Sequence, residues 1–194
     1  MNKIKNPKDL IMLLLYVTGA SGELCEPIKG QTRLMKMIFL FKKELLRHLN
    51  LAQVIADSAV PDFEPYDYGP YSASVYSDLE FLVNLGFVEV IIDGEPEIID
   101  EEREEFNHWS ATTTVDEDLN QRYIGRNFKL TELGKKFVET KIVKDKGLTI
   151  EQLQSLGEFK KRCSAASLRS LLRYVYSRYG DMTVNSKIKD DVLR

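Results

Sequence analysis

The stretch Tyr66–Ile92, YDYGPYSASVYSDLEFLVNLGFVEVII, decides how this 194-residue chain is read. Gly69-Pro70 marks a turn, and Pro70 suits the first position of a new helix. Val75, Leu79, Leu82 and Leu85 then keep an i, i+4, i+7, i+10 apolar line, which predicts a helix ending at Leu85. Gly86 follows as the residue that stops it. Phe87 to Ile92 is rich in β-branched and aromatic residues and reads as a strand.

Upstream, Thr32 is placed to cap a second helix running to about Leu49. Leu34, Met37, Ile38, Phe41 and Leu45 fall on one face of it, and Arg33, Lys36, Lys43 and Arg47 on another. That basic stripe is either a solvated face with packed stems or an anion-facing surface. An earlier helix, Pro7 to Thr18, has Asn6 as its cap and is apolar on several sides, so it belongs in the core. Gly19 to Gly30 reads as a loop, and residues 50–65 as a loop or short helix. Downstream, residues 93–121 are acidic and without periodicity. A second strand is expected at Asn127–Leu130, and Thr131 caps a helix that turns Leu133, Phe137 and Val138 inward.

Helix, helix, helix, strand, long loop, strand, helix is the order of a winged helix with an enlarged wing, a mainly α fold with a small β-hairpin. The expected division is a winged-helix domain over 1–146 and a helical extension over 147–194. In the extension Thr149 and Gln152 form a capping-box pattern. Ile150, Leu153, Leu156 and Phe159 give one apolar face, and Leu168, Leu171, Leu172 and Val175 another. Gly180-Asp181 breaks that helix, and Asn185 to Leu193 suits a short last one.

The net charge of −3 hides a pattern. Residues 1–50 carry +5, residues 51–121 carry −17 and residues 122–194 carry +9. A winged helix usually reads DNA with its third helix, and phosphate contacts by Lys and Arg supply most of the affinity. Here that helix offers Ser72, Ser74, Tyr76, Ser77, Asp78 and Glu80, and no cation. DNA contact is therefore expected from Arg33, Lys36, Lys43 and Arg47, from Arg126, Lys129, Lys135 and Lys136, and from tail residues such as Lys160, Arg169 and Arg173. Tyr68, Tyr71, Ser72, Tyr76 and Trp109 are candidates for a protein partner, although tyrosines spaced like these also serve as packing and turn residues.

The chain has no P-loop, GxGxxG, GxSxG, HExxH or CxxC, and neither His48 nor His108 has a partner at ligand spacing. The acids Asp100, Glu101, Glu102, Glu104 and Glu105 are read as a solvated face rather than a metal site. No enzyme activity, cofactor or metal is expected. The apolar run Leu10–Val17 is too short to span a membrane, and Pro7 and Asp9 before it argue against a signal peptide. Cys25 and Cys163 fit a reducing compartment, so the expected location is cytoplasmic.

Three segments carry a resemblance. Gln31-Thr32-Arg33-Leu34-Met35-Lys36-Met37-Ile38-Phe39-Leu40 is similar to a helix of the YwgA-like uncharacterised proteins of bacteria and archaea. Tyr68-Gly69-Pro70-Tyr71-Ser72, with the helix ending Leu82-Val83-Asn84-Leu85-Gly86-Phe87, resembles both those proteins and the Panacea (SocA-like) antitoxin domain. Phe128-Lys129-Leu130-Thr131-Glu132-Leu133-Gly134 resembles the strand, Leu-Thr-x-x-Gly and helix that follow the wing in many winged-helix regulators. The resemblance covers about residues 8–140. It implies a winged-helix fold without catalytic residues and, from the Panacea side, neutralisation of a protein partner; the long acidic loop departs from the simplest members. Two readings stand: a DNA-binding regulator that dimerises through its C-terminal helices, and an antitoxin-like regulator that docks a protein through its acidic middle.

Overall fold

The computed structural model describes residues 3–46, 51–92 and 126–193. The protein is α-rich with a small antiparallel sheet. Helix α1 spans Pro7–Tyr16, with the Asn6 side chain accepting from the Lys8 N–H. Every residue from Leu10 to Val17 is buried. A helix apolar all round must sit inside its neighbours, and α1 does. Strand β1 (Ile28–Lys29) leads through Gly30, at φ 81°, into α2 (Gln31–Leu40). The α2 axis continues as a π-helical turn over Phe41–Leu45. Strands β2 (Glu64–Tyr66) and β3 (Gly69–Tyr71) form a hairpin before α3 (Ala73–Asn84). Strands β4 (Val88–Ile92) and β5 (Arg126–Leu130) are followed by α4 (Glu132–Phe137), which runs on into a π-helical turn over Val138–Lys144. Helices α5 (Ile150–Ala165), α6 (Leu168–Arg178) and α7 (Lys189–Leu193) complete the chain.

The main sheet has the order β1-β5-β4, with Ile28 opposite Phe128 and Val88 opposite Leu130. Those four residues point to the same side and are buried, so the sheet covers the helices with one face. The C-terminal helices share this core: Leu156, Phe159, Leu172, Val175 and Tyr176 lie in the same cluster as α1 and α2.

Three buried cations hold these parts together, each by donating to backbone carbonyls. Lys36 on α2, with no exposed surface, donates to the carbonyls of Tyr68 (2.7 Å) and Pro70 (3.1 Å) in the β2–β3 hairpin. Arg33, one turn earlier, donates to the carbonyls of Cys163 and Ala166 (2.7 Å) at the end of α5. Lys160 on α5, also without exposed surface, donates to the carbonyls of Leu15 and Val17 (2.9 Å each) at the end of α1. The last carbonyls of a helix lack intrahelical partners, and a cation there also opposes the helix dipole. A chain of clasps thus runs from the end of α1 through α5 and α2 to the hairpin.

The structure corrects several expectations. Arg33 and Lys36 do not lie on a solvent stripe; long stems carry their charges inward to carbonyls. Thr32 is buried inside α2 rather than capping it, because Gly30 makes the turn. Pro70 lies in β3, and α3 begins after Ser72. Pro65 stands opposite Pro70, one step beyond the Tyr66–Gly69 pair that closes the two-residue turn. Antiparallel pairs alternate between bonded and non-bonded, so the prolines fall where no N–H is required. Gly69 has φ 84°, and a Cβ there would meet the Tyr176 ring at 3.0 Å. Leu133 and Ile150 are exposed rather than inward. Other expectations hold: the Thr149–Gln152 capping box is formed, and Leu168, Leu171, Leu172 and Val175 are buried.

The Leu130-Thr131-x-x-Gly134 segment has a clear physical basis. Leu130 is core, and Thr131 Oγ1 accepts from the Gly134 N–H while donating to the Gly86 carbonyl at 2.7 Å. A Cβ on Gly134 would sit 2.1 Å from the Phe87 carbonyl oxygen.

Lys36→Met leaves the Tyr68 and Pro70 carbonyls without that donor and should lower unfolding free energy in urea by about 1–3 kcal/mol. Lys43→Met, at an exposed position, should stay within about 0.5 kcal/mol. Equal effects would mean that Lys36 is not a structural clasp. Gly134→Ala drives a methyl into backbone. Thermal melts should show it costing more than Thr131→Ala, which loses one cap worth about 1 kcal/mol.

Candidate functional site

The acidic middle of the chain is partly neutralised by its basic flanks. Lys8 pairs with Asp78, Lys42 with Asp62 at 2.7 Å and Lys187 with Asp67 at 2.6 Å. The Lys42 ammonium holds the Asp62 carboxyl below its ordinary range. These pairs join residues far apart in sequence, so block charges do not describe the surface.

The eight cations expected at DNA fall into different places. Arg33 and Lys36 are committed to carbonyls in the interior. Lys43 is exposed, with its ammonium 5.7 Å from the Phe39 ring centre and 6.0 Å from that of Tyr179. Arg126 and Lys129 are half-buried on β5, and Lys129 stands opposite Glu89 of β4. Lys135 is half-buried and Lys136 exposed on α4. Arg47 lies outside the described residues. The tail cation Lys160 belongs to the interior, and Arg173 donates to the Val192 carbonyl at 3.1 Å.

The partner candidates are corrected in the same way. Tyr68, Tyr71 and Ser72 are buried. Tyr71 stacks on Tyr66 at 4.8 Å and meets Tyr76 at 5.7 Å. These rings pack the hairpin onto α3, and among the described candidates only Tyr76 is half-buried rather than buried. Trp109 and the acids at 100–105 lie outside the described residues, as does the whole of 93–125.

The fully exposed positions of α3 are neutral, and Glu80 is half-buried. Ser74, Ser77, Phe81 and Asn84 are exposed, and so is Leu85 just beyond the helix. Phe81 and Leu85 keep about half their surface in water, at 48% and 50%. The Lys8 ammonium sits 5.0 Å from the Phe81 ring centre, and its charge is already paired with Asp78. The Thr131–Gly86 bond and the contact of Phe87 with Phe137 at 5.1 Å fasten α4 to the end of α3. Leu133, 56% exposed, stands at that junction. Exposed large apolar groups are more informative than exposed polar ones; Leu85 and Leu133 fit the spacing of a core face, whereas Phe81 lies off the Val75–Leu85 line.

A second polar centre was also missed. Glu44, in the π-helical turn after α2, accepts at Oε1 from the hydroxyls of Tyr174 (2.8 Å) and Tyr179 (2.7 Å), and Arg178 Nε lies 3.5 Å away. Burial and then the bond to Glu44 push the Tyr179 phenol up to about 12. The partners are some 130 residues distant, so no local signal announces the group.

Among the described residues no cluster of His, Cys, Asp and Glu could hold a metal ion, and no helix is long and apolar enough to cross a membrane. No protein-family model, no curated protein and no solved structure matches the chain.

Both cysteines are free and buried. Burial pushes the Cys163 thiol up to about 12 from an ordinary value near 9. The folded thiol therefore keeps a proton that the unfolded chain loses. Stability from this group is complete below pH 9 and drains away as pH rises toward 12. Lys160 acts in the opposite sense, since burial pulls its ammonium down to about 8 and stability rises with pH between there and 10.5. Comparison of wild type with Cys163→Ala cancels the lysine. Wild type should lose stability relative to the variant by up to about 1.4 kcal/mol per pH unit above pH 9 in urea unfolding. A constant difference between pH 8 and pH 10.5 would mean that the thiol ionises normally.

Proposed function

We propose that the chain is a non-enzymatic winged-helix regulatory protein, antitoxin-like in acting on a protein partner. The winged-helix reading is supported by the order α1-β1-α2-α3-β4-β5 together with the sheet order β1-β5-β4. In that arrangement β4 and β5 flank the wing, and α3 is the helix that would enter a DNA groove. The observation that carries the protein-binding reading is the outward face of α3. Phe81 on it and Leu85 just beyond it are half-exposed apolar side chains, and around them α3 offers Ser74, Ser77, Asn84 and the half-buried Glu80 but no cation. Such a face lacks the phosphate contacts that dominate duplex binding, and it has the apolar anchors that protein interfaces use. The partner then docks across the end of α3 and the start of α4, with Leu133 and Tyr76 at the margins.

A DNA-binding reading keeps one observation in its favour. Lys29 and Lys129 share the outer face of the sheet, and Lys136 is exposed on the next helix.

The test is affinity capture from the native host with wild type and a Phe81→Glu/Leu85→Glu variant, beside duplex-binding titrations at low and moderate salt. A partner retained by wild type and weakened about thirtyfold or more by the variant, equivalent to about 2 kcal/mol, is the expected result. Tight duplex binding that collapses with salt and with Lys29→Glu/Lys129→Glu, but not with the α3 variant, would replace this reading by the DNA-binding one.

A further inference from the structure

A cavity of about 340 Å³ opens between the π-helical turn after α2, the last turns of α5 and the first turns of α6. Its floor is apolar: Leu40, Phe159, Cys163 and Leu171 are each 3–5% exposed. Its mouth is polar, formed by Glu44, Arg162, Ser170 and Tyr174. An apolar pocket of this size with a few convergent polar groups is the usual build of a small-molecule site.

Two features show that the mouth is organised. Glu44 sits in a π-helical turn, closed by the Leu46 N–H bonding to the Phe41 carbonyl at 3.0 Å. Such turns are rare and cluster at functional sites. The carboxylate is also held rigidly, because two tyrosine hydroxyls and Arg178 converge on Oε1. Among the described residues none bonds Oε2, which is left to accept from a ligand. Arg162, on α5, also lines the cavity and supplies the opposite charge, and it is solvent-exposed.

We infer that this cavity binds a small zwitterion with an apolar side group, the chemistry of a free hydrophobic amino acid, its ammonium on Glu44 and its carboxylate on Arg162. The side group lies on the Phe159–Leu171 floor. A plain amine meets Arg162 as a like charge, and a plain carboxylate meets Glu44. Only a ligand carrying both charges is matched by both residues.

Calorimetric titration and thermal melts of the full chain test this with L-phenylalanine and L-leucine as probes. Phenethylamine lacks the carboxylate, 3-phenylpropionate lacks the ammonium, and glycine lacks the side group. The expected result is binding of phenylalanine or leucine with a raised melting temperature. Each analogue should bind about tenfold or more weakly, the effect of losing a charged hydrogen-bond partner or the apolar contact. Arg162→Gln, at an exposed position, should weaken the zwitterion by a similar factor without changing the melt of the free protein. Ala166→Trp fills the mouth while keeping the backbone carbonyl that Arg33 uses, and it should abolish binding. No response to either amino acid up to millimolar concentration overturns the inference, as does equal binding of the bare amine or acid. A dimer that Ala166→Trp dissociates, with no ligand response, overturns it too and assigns the cavity to contact between two copies.

Discussion

The structure depends on cations that never reach water. Lys36, Lys160 and Arg33 each take a charge into the interior and spend it on backbone carbonyls. Two of the three meet helix ends, where carbonyls have no partner within the helix and the dipole is negative. Desolvation of an ammonium is expensive, and it pulls the Lys160 pKa down to about 8. The opposing gain is that helix ends and a hairpin can be buried without orphaned acceptors. Because the clasps run in series, the C-terminal helices are structural partners of α1 and α2: α5 receives Arg33 from α2 and returns Lys160 to α1.

The same economy shapes the surface. Charges that look segregated along the chain meet across it, as Lys8 with Asp78 and Lys187 with Asp67. Exposed ion pairs add little stability. The Lys8–Asp78 pair compensates one charge of α3, and Phe81, with Leu85 just beyond the helix, is its prominent exposed apolar group. Glu44, a carboxylate fixed by two tyrosine hydroxyls, lines a cavity of its own. The α3 face and the Glu44 cavity share no residues.

Much of the helical framework was legible in the residues. Asn6-Pro7 starts α1, Thr131 caps α4 and Thr149–Gln152 forms its capping box, because caps are local chemistry written within four positions. Gly86 and the strand after it were legible for the same reason. Strand β1 was not, since two residues carry no periodicity. Nor was the β2–β3 hairpin, whose two prolines argue against a strand until the register sets them opposite each other. Leu133 and Ile150 fit a helical stripe, yet they emerge at its edge, where neighbouring elements end.

The sequence by itself determined the starts of α1, α4 and α5 and the end of α3, and that Tyr68-Gly69-Pro70-Tyr71 and Leu130-Thr131-x-x-Gly134 are special, because glycine geometry and capping depend on near neighbours alone. Only the tertiary structure decided what the basic residues do. A lysine stem reaches either water or a carbonyl with equal ease, and the choice rests on whether a partner lies above it. For Lys36 that partner is a turn 32 residues on, and for Lys160 it is a helix end more than 140 residues back. Periodicity therefore placed Arg33 and Lys36 on a stripe apart from the apolar face of α2, while packing took these two into the interior and left Lys43 exposed.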